Sequence, residues 1–436
     1  MESRQVRDRF VAFFEERDHV RVPSASLVPN DPTLLFTNAG MNQFKPYFQG
    51  EQTPPYPRAV SVQKCLRAGG KHNDLEEVGR TTRHLTFFEM LGNFSFGDYF
   101  KKEICAWSWE LVTESWGMEA DRLWVSVYET DDEAFDLWRD HVGVPPERIL
   151  RLGKKDNYWS MGVAGPCGPC SEIHYDRGPG WGEESPRGPI DNDERYLEFW
   201  NLVFMQNECD AALEEVGELP KKNIDTGAGL ERIAMLLQEK PTVFESDLLM
   251  GMIERASEVT GKRYGSDERI DFGLKVLADH GRALTFAIAD GVLPSNEERG
   301  YVLRRVMRRA IRHARLIGFE GDILAPLAAR CVELMGDAFP EIVAQQSLVE
   351  EVAAREEDRF SETLKQGTAL LDTAVERSKS RGQEALPGDV AFKLHDTFGF
   401  PIDLTTEIAG ESGLSVDTAG FRRLMEQQRE RARAAR

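Results

Sequence analysis

Arg83-His84-Leu85-Thr86-Phe87-Phe88-Glu89-Met90-Leu91-Gly92-Asn93-Phe94-Ser95-Phe96 is the stretch on which the fold turns. Residues 85–96 are apolar enough for a buried strand, and residues 60–67 upstream have the same character, so the two predict a strand pair. The loop between them carries Arg67, Lys71, His72, Arg80, Arg83 and His84. Guanidinium groups bind phosphate oxygens bidentately, and charge-assisted hydrogen bonds are about twice as strong as neutral ones, so this loop suits a polyphosphate. Side chains alternate along a strand, which puts His84, Phe88 and Met90 on one face, where an aromatic ring can carry a base. A second stretch, Asp225-Thr226-Gly227-Ala228-Gly229-Leu230-Glu231-Arg232, sets glycines where backbone can approach a ligand. It then opens a helix through Ile233, Ala234, Leu236 and Leu237, which holds Arg232 beside the bound molecule. Together the two stretches read as an ATP site.

Composition narrows the rest. At 436 residues the chain exceeds one ordinary core and predicts two or three domains. No run approaches the roughly 18 apolar residues of a membrane span, and Met1-Glu2-Ser3-Arg4 is no signal-peptide start, so a cytoplasmic location without membrane contact is expected. Six cysteines make no disulfide framework; Cys65, Cys105, Cys209 and Cys331 stand isolated, and most are expected as buried free thiols. A net charge of -20 opposes indiscriminate nucleic-acid binding, so any RNA contact must be local. The local candidate is the helix over 299–315, with seven arginines in seventeen residues. Its apolar residues Val302, Leu303, Val306, Met307, Ala310, Ile311 and Ala314 fall on one half, and Arg304, Arg305, Arg308, Arg309, Arg312 and Arg315 on the other. A solvated face competes with an RNA-contacting one there.

An amphipathic helix with Val6, Phe10, Phe13 and Phe14 on one side opens the chain. Strand-like segments follow at 60–67, 85–96, 123–128, 171–175 and 196–206, with a helix over 99–115 between them. Neither βα alternation nor a Gly-x-x-x-x-Gly-Lys string is present, which disfavours doubly wound and P-loop folds. The fold class is therefore α+β: an antiparallel sheet flanked by helices over 1–240, then a mainly helical domain over 241–436.

The paired motifs resemble motifs 2 and 3 of the class II aminoacyl-tRNA synthetases. Arg67-Ala68-Gly69-Gly70-Lys71-His72-Asn73-Asp74 and Phe87-Phe88-Glu89-Met90-Leu91-Gly92-Asn93-Phe94 resemble the alanyl-tRNA synthetase family in particular. The likeness runs from Leu34-Leu35-Phe36-Thr37-Asn38-Ala39-Gly40-Met41 through Gly165-Pro166-Cys167-Gly168-Pro169-Cys170 to Asp396-Thr397-Phe398-Gly399-Phe400-Pro401. It implies an ATP-dependent ligase that activates alanine and charges tRNA(Ala). It also implies that the editing and C-terminal domains of the family lie outside this chain, and that the fragment is monomeric.

By the same resemblance Arg67 contacts the ATP α-phosphate and the alanine carboxylate, with Arg232 as its catalytic companion. His84 meets the γ-phosphate, and Phe88 and Arg232 sandwich adenine, with His72 and Met90 in the ATP site. Asp225 holds the alanine ammonium beside Gly227, on the floor made by Asn201 and Val203 and the wall made by Trp159. Bland alternatives stand beside these: a helix cap for Asp225, strand hydrogen bonding for Asn201, and core packing for Phe88, Val203 and Trp159. Mg²⁺ arrives with ATP; Cys167 and Cys170 are not expected to hold zinc, because only His174 lies nearby and no His-x-x-x-His pair occurs among the eight histidines. For the acceptor stem of tRNA(Ala), the resemblance assigns a G·U wobble pair to Asn296 and Asp396, with Arg304, Arg308, Arg309 and Arg312 on phosphates. A ligase for another acceptor and a catalytically silent RNA-binding paralogue are the rivals.

Overall fold

The strand expected over 85–96 forms at Phe87–Ser95, inside a sheet of nine strands. The computed structural model describes residues 1–70 and 72–434, and their side chains except those of His72, Asp403, Arg429 and 432–434. Contacts divide the chain into two compact units, Met1–Gly251 and Met252–Arg436.

The nine strands of this sheet, in the first unit, are Val20–Arg21 (β1), Arg58–Leu66 (β2), Phe87–Ser95 (β3), Leu123–Tyr128 (β4), Ile149–Leu152 (β5), Tyr158–Ser160 (β6), Gly165–Asp176 (β7), Tyr196–Cys209 (β8) and Glu215–Gly229 (β9). Their order is β1-β2-β3-β9-β8-β7-β4-β5, with β6 paired to β7. All neighbours from β2 to β4 are antiparallel, whereas the outer pairs β1·β2 and β4·β5 are parallel, so the sheet is mixed at its edges. Helices Ser3–Glu15 (α1), Lys101–Glu110 (α2) and Leu230–Leu237 (α3) flank it. The apolar stripe of α1 buries Phe10 against Trp116 and Trp200, with ring centroids 6.4 and 5.8 Å away. Such aromatic burial anchors the helix on the sheet.

Strand β9 lay outside the expected set. Its exposed arm, Glu215 to Lys222, lacks apolar alternation, and its buried end carries Gly227 and Gly229, which are poor strand formers. In the structure Asp225, Thr226 and Gly227 are strand residues facing Val203, Leu202 and Asn201 of β8, and the helix begins one residue after Gly229.

Two further expectations are corrected. Cys209 is no isolated thiol: it forms a disulfide with Cys167, while Cys65, Cys105, Cys170 and Cys331 are buried and free. The two halves of the Cys-x-x-Cys string therefore go separate ways. Between them Gly168 lies against β8 so closely that a Cβ would come 1.9 Å from the Phe204 carbonyl oxygen.

The second unit contains Glu268–Ala289 (α4), Glu298–Leu316 (α5), Leu324–Met335 (α6), Gln346–Ser380 (α7), Gly388–Phe398 (α8), Ile402–Glu411 (α9) and Thr418–Ala434 (α10), with one two-stranded pairing, Ala385–Leu386 on Ser415–Val416. The apolar half of α5 is buried as its periodicity predicts. Its arginine half supplies the second correction: Arg308, Arg309 and Arg312 are only 7%, 2% and 6% exposed. They pair with Glu356 at 2.7 Å, Glu407 at 3.3 Å and Glu411 at 2.6 Å, so they do not present guanidinium groups to RNA phosphates as expected. An arginine enters an interior only when its charge is matched there, and acids from α7 and α9 match these.

Candidate active site

One cavity of about 660 Å³ in the first unit is lined by Arg67, His84, Phe88, Met90, Trp159, Asn201, Val203, Asp225, Gly227 and Arg232. These are the residues singled out in the sequence for ATP and alanine, except His72, whose side chain lies outside the described residues. Pairing of three strands brings them together. Glu172, Asn201 and Gly227 form one rung across β7, β8 and β9, and Cys170, Val203 and Asp225 form the next but one. Alternation then turns Asn201 and Val203 to the same side of β8.

At the nucleotide end, the Arg67 guanidinium stands 5.0 Å from the Phe88 ring centroid and donates to the Asn38 carbonyl from Nε and Nη2, both at 3.2 Å. Asn38 belongs to the 34–41 string, whose functional part was not foreseen: Asn38, Ala39 and Met41 line the cavity. Arg232 donates through Nη1 to the Glu198 carbonyl at 2.9 Å and its carboxylate at 3.1 Å. His84 is pushed down to about 4, first by burial and then by the neighbouring Arg232 and Arg83, so the ring is neutral at pH 7. Its Nδ1 meets the Thr81 hydroxyl at 2.8 Å. Gly227 has a steric reason to be glycine: a Cβ there would come 2.8 Å from Met90 Sδ.

At the other end Asp225 is 7% exposed, and burial alone pushes its carboxyl up to about 7. Such a group is poised to gain a cationic partner. Asn201 Oδ1 is buried without a hydrogen-bond partner. Val203, Trp159, Met41 and Cys170 belong to one apolar cluster beside these polar atoms. The result is a small pocket with an anion, an amide oxygen and a greasy wall.

Among the carboxylates lining the cavity that were missed in the sequence are Glu172 and Glu198. Burial pushes Glu172 up, against the opposing hydrogen bond from His174, which sits 3.4 Å away. Glu198 is half-buried, and although desolvation raises it, Arg232 and His174 hold it below the usual carboxylate range. Glu198 shares a strand with Asn201 but lies three residues away, so strict alternation would turn it to the opposite face, and a register shift between Glu198 and Trp200 intervenes; Glu172 becomes the neighbour of Asn201 only through the β7–β8 register. In the second unit Asn296 and Asp396 are exposed, and Arg304 is half-buried.

The family model described as "tRNA synthetases class II (A)" matches residues 5–436. The chain belongs to the class II tRNA synthetases. It is 56% identical over 444 residues to an alanine–tRNA ligase of Streptomyces avermitilis, covering all of this chain and 49% of that protein. It is 53% identical over 444 residues to an alanine–tRNA ligase of Thermobifida fusca, covering 99% of this chain and 49% of that one. The chain thus spans about half the length of the curated relatives it matches. Among solved structures, apo histidyl-tRNA synthetase of Staphylococcus aureus aligns over 56% of this chain and 68% of its own at 10% identity, with a TM-score of 0.34. That similarity is too slight to carry weight. Among the described residues no helix is long and apolar enough to cross a membrane.

Proposed function

We propose that this class II synthetase chain activates alanine with ATP, forming alanyl-adenylate and pyrophosphate, and then esterifies the 3′ end of tRNA(Ala). The observation that carries the proposal is the single cavity in which Arg67, Phe88 and Arg232 meet the buried carboxyl of Asp225. Adenine lies between Phe88 and Arg232, since stacking and cation–π contacts both favour that sandwich. His84 turns toward the γ-phosphate, where a polyanion raises its proton affinity, and Met90 packs below. Asp225 takes the ammonium of alanine, Asn201 accepts from it, and Val203 and Trp159 enclose the methyl. An alanine carboxylate oxygen then attacks the α-phosphorus and pyrophosphate leaves. Arg67 stabilises the charge that develops on both groups, and Arg232 steadies the nucleotide; no side chain needs to move a proton in this step.

Magnesium travels with the triphosphate as part of the substrate, and Glu172 and Glu198 are oxygen donors suited to it. Asn296 and Asp396 contact the acceptor-stem G·U pair, with Arg304 toward the backbone. The exposure of both residues supports that assignment, and the burial of Arg308, Arg309 and Arg312 removes them from it.

The test is amino-acid-dependent ATP–pyrophosphate exchange with alanine, glycine and serine, followed by charging of tRNA(Ala). Glycine lacks one methyl, worth about 0.8 kcal/mol, so its kcat/KM trails that of alanine by only about fourfold from this contact. No exchange from a folded sample refutes the adenylation proposal.

A further inference from the structure

We propose that Glu356, buried within the second unit, is a positioning residue for acceptor-stem recognition: through Arg304 and Arg308 it sets both Asn296 and Asp396. The inference rests on the stem-reading role proposed above for those two residues. Glu356 lies on α7 and is 3% exposed. Its Oε1 accepts from Arg308 Nε at 2.8 Å, lies 2.7 Å from Arg308 Nη2, and is 3.2 Å from Arg304 Nε. One buried carboxylate therefore holds two guanidinium groups a turn apart on α5. Their outer nitrogens point to opposite places.

Arg304 reaches back to the loop before α5, where Nη1 donates to Asn296 Oδ1 and Nη2 to the Pro294 carbonyl at 3.2 Å. Arg308 reaches the end of α8, where Nη1 donates to the carbonyl of Gly399. Gly399 is the left-handed cap of α8, with φ +65°, three residues beyond Asp396. A Cβ on it would lie 2.5 Å from Arg308 Nη1, so the guanidinium occupies the space a side chain would need. Phe360, one turn along α7 from Glu356, completes the seat: its ring centroid is 4.7 Å from the Arg308 guanidinium and 5.6 Å from the Phe400 ring. Asn296 and Asp396 are a hundred residues apart in sequence, yet Asn296 itself lies at the far end of one arginine, and the helix cap three residues beyond Asp396 at the far end of the other, both from the same carboxylate. The Asp396 carboxylate accepts from Gln428. Base readout depends on side-chain placement, and a residue that fixes two readers at once acts on discrimination more than on affinity.

The experiment compares Glu356→Gln and Glu356→Asp with the parent chain in two assays. Alanine-dependent pyrophosphate exchange reports the adenylation site. Charging of tRNA(Ala) with its G·U pair, against the same tRNA carrying G·C, reports discrimination. Exchange is expected to stay within about twofold, while the G·U over G·C preference falls about tenfold or more in Glu356→Gln and partly recovers in Glu356→Asp, which keeps the charge. Gly399→Ala displaces Arg308 from the other side and is expected to lower the same preference, which keeps the inference testable if Glu356→Gln does not fold. Preference retained in both Glu356 variants and in Gly399→Ala, with exchange intact, overturns the positioning role. Asn296→Ala separates the two levels: if it leaves the preference unchanged, the stem-reading proposal falls and this inference with it. If it abolishes the preference while the Glu356 variants do not, only the inference falls.

Discussion

Asp225 offers the sharpest check on the amino-acid end of the site, because burial has pushed its carboxyl up to about 7. Only the ionised form can pair with an ammonium, so the competent fraction rises from about one tenth at pH 6 to about nine tenths at pH 8. The alanine ammonium stays protonated across that range, so the KM for alanine should fall about tenfold from pH 6 to pH 8 while kcat at saturation changes little. In Asp225→Asn the dependence should vanish and KM should rise about 10- to 150-fold, the equivalent of a charged hydrogen bond worth about 1.5–3 kcal/mol. Stability should move the other way. The folded pKa is raised above the ordinary 3.8, so ionising Asp225 destabilises the native state as pH rises through that interval, by a total on the order of 4 kcal/mol at pH 8. Asp225→Asn should therefore unfold at a higher temperature than the parent at pH 8 and at a similar one near pH 4. The assays are exchange at saturating ATP across pH 6–8 and calorimetry at the two pH values. A flat alanine KM in the parent, or a variant with the same pH slope, refutes the ammonium contact.

Other sites give simpler checks. Arg67→Ala should abolish exchange without lowering the unfolding temperature appreciably, and Arg67→Lys should restore little, because an ammonium lacks the planar fork that spans two oxygens; near-normal exchange in either sinks the catalytic role. Gly227→Ala drives a Cβ to 2.8 Å from Met90 Sδ and should push Met90 into the cavity. Overpacking of about 1–3 kcal/mol is expected, and the KM for ATP should rise with it; unchanged KM values would show that Met90 yields freely. Arg308→Ala leaves the buried Glu356 carboxylate with Arg304 alone and should destabilise the second unit by up to about 3–5 kcal/mol in denaturant titration. Its tRNA-binding salt slope should match the parent's, and a slope flatter by about one unit would return Arg308 to the phosphate-contacting surface.

What the sequence disclosed of this site, and what it hid, follows from how far each residue is from its partners along the chain. Phe88, Met90 and Arg232 were recognisable because each sits inside a short string whose alternation or glycine spacing fixes its direction. The floor of the pocket needed more. Glu172 and Gly227 flank Asn201 only through the pairing of β7, β8 and β9, and periodicity within one strand says nothing about the register between two. The Cys167–Cys209 bridge was hidden for the same reason, being an attachment between neighbouring strands.

The arginine helix marks a different boundary. Its apolar half was correctly expected to be buried, but a charged half satisfies the helical pattern equally well facing water, RNA or a layer of carboxylates. Here the carboxylates lie 48, 98 and 99 residues away, at Glu356, Glu407 and Glu411. A stripe of arginine in a chain of net charge -20 thus carries two meanings that composition cannot separate. In this protein the inner arginines are matched by acids from α7 and α9, and Arg304, at the end of the stripe, reaches an exposed candidate reader, Asn296. The basic face foreseen as a phosphate-binding surface is therefore largely interior scaffold, and the surface proposed for acceptor-stem recognition narrows to the exposed Asn296 and Asp396.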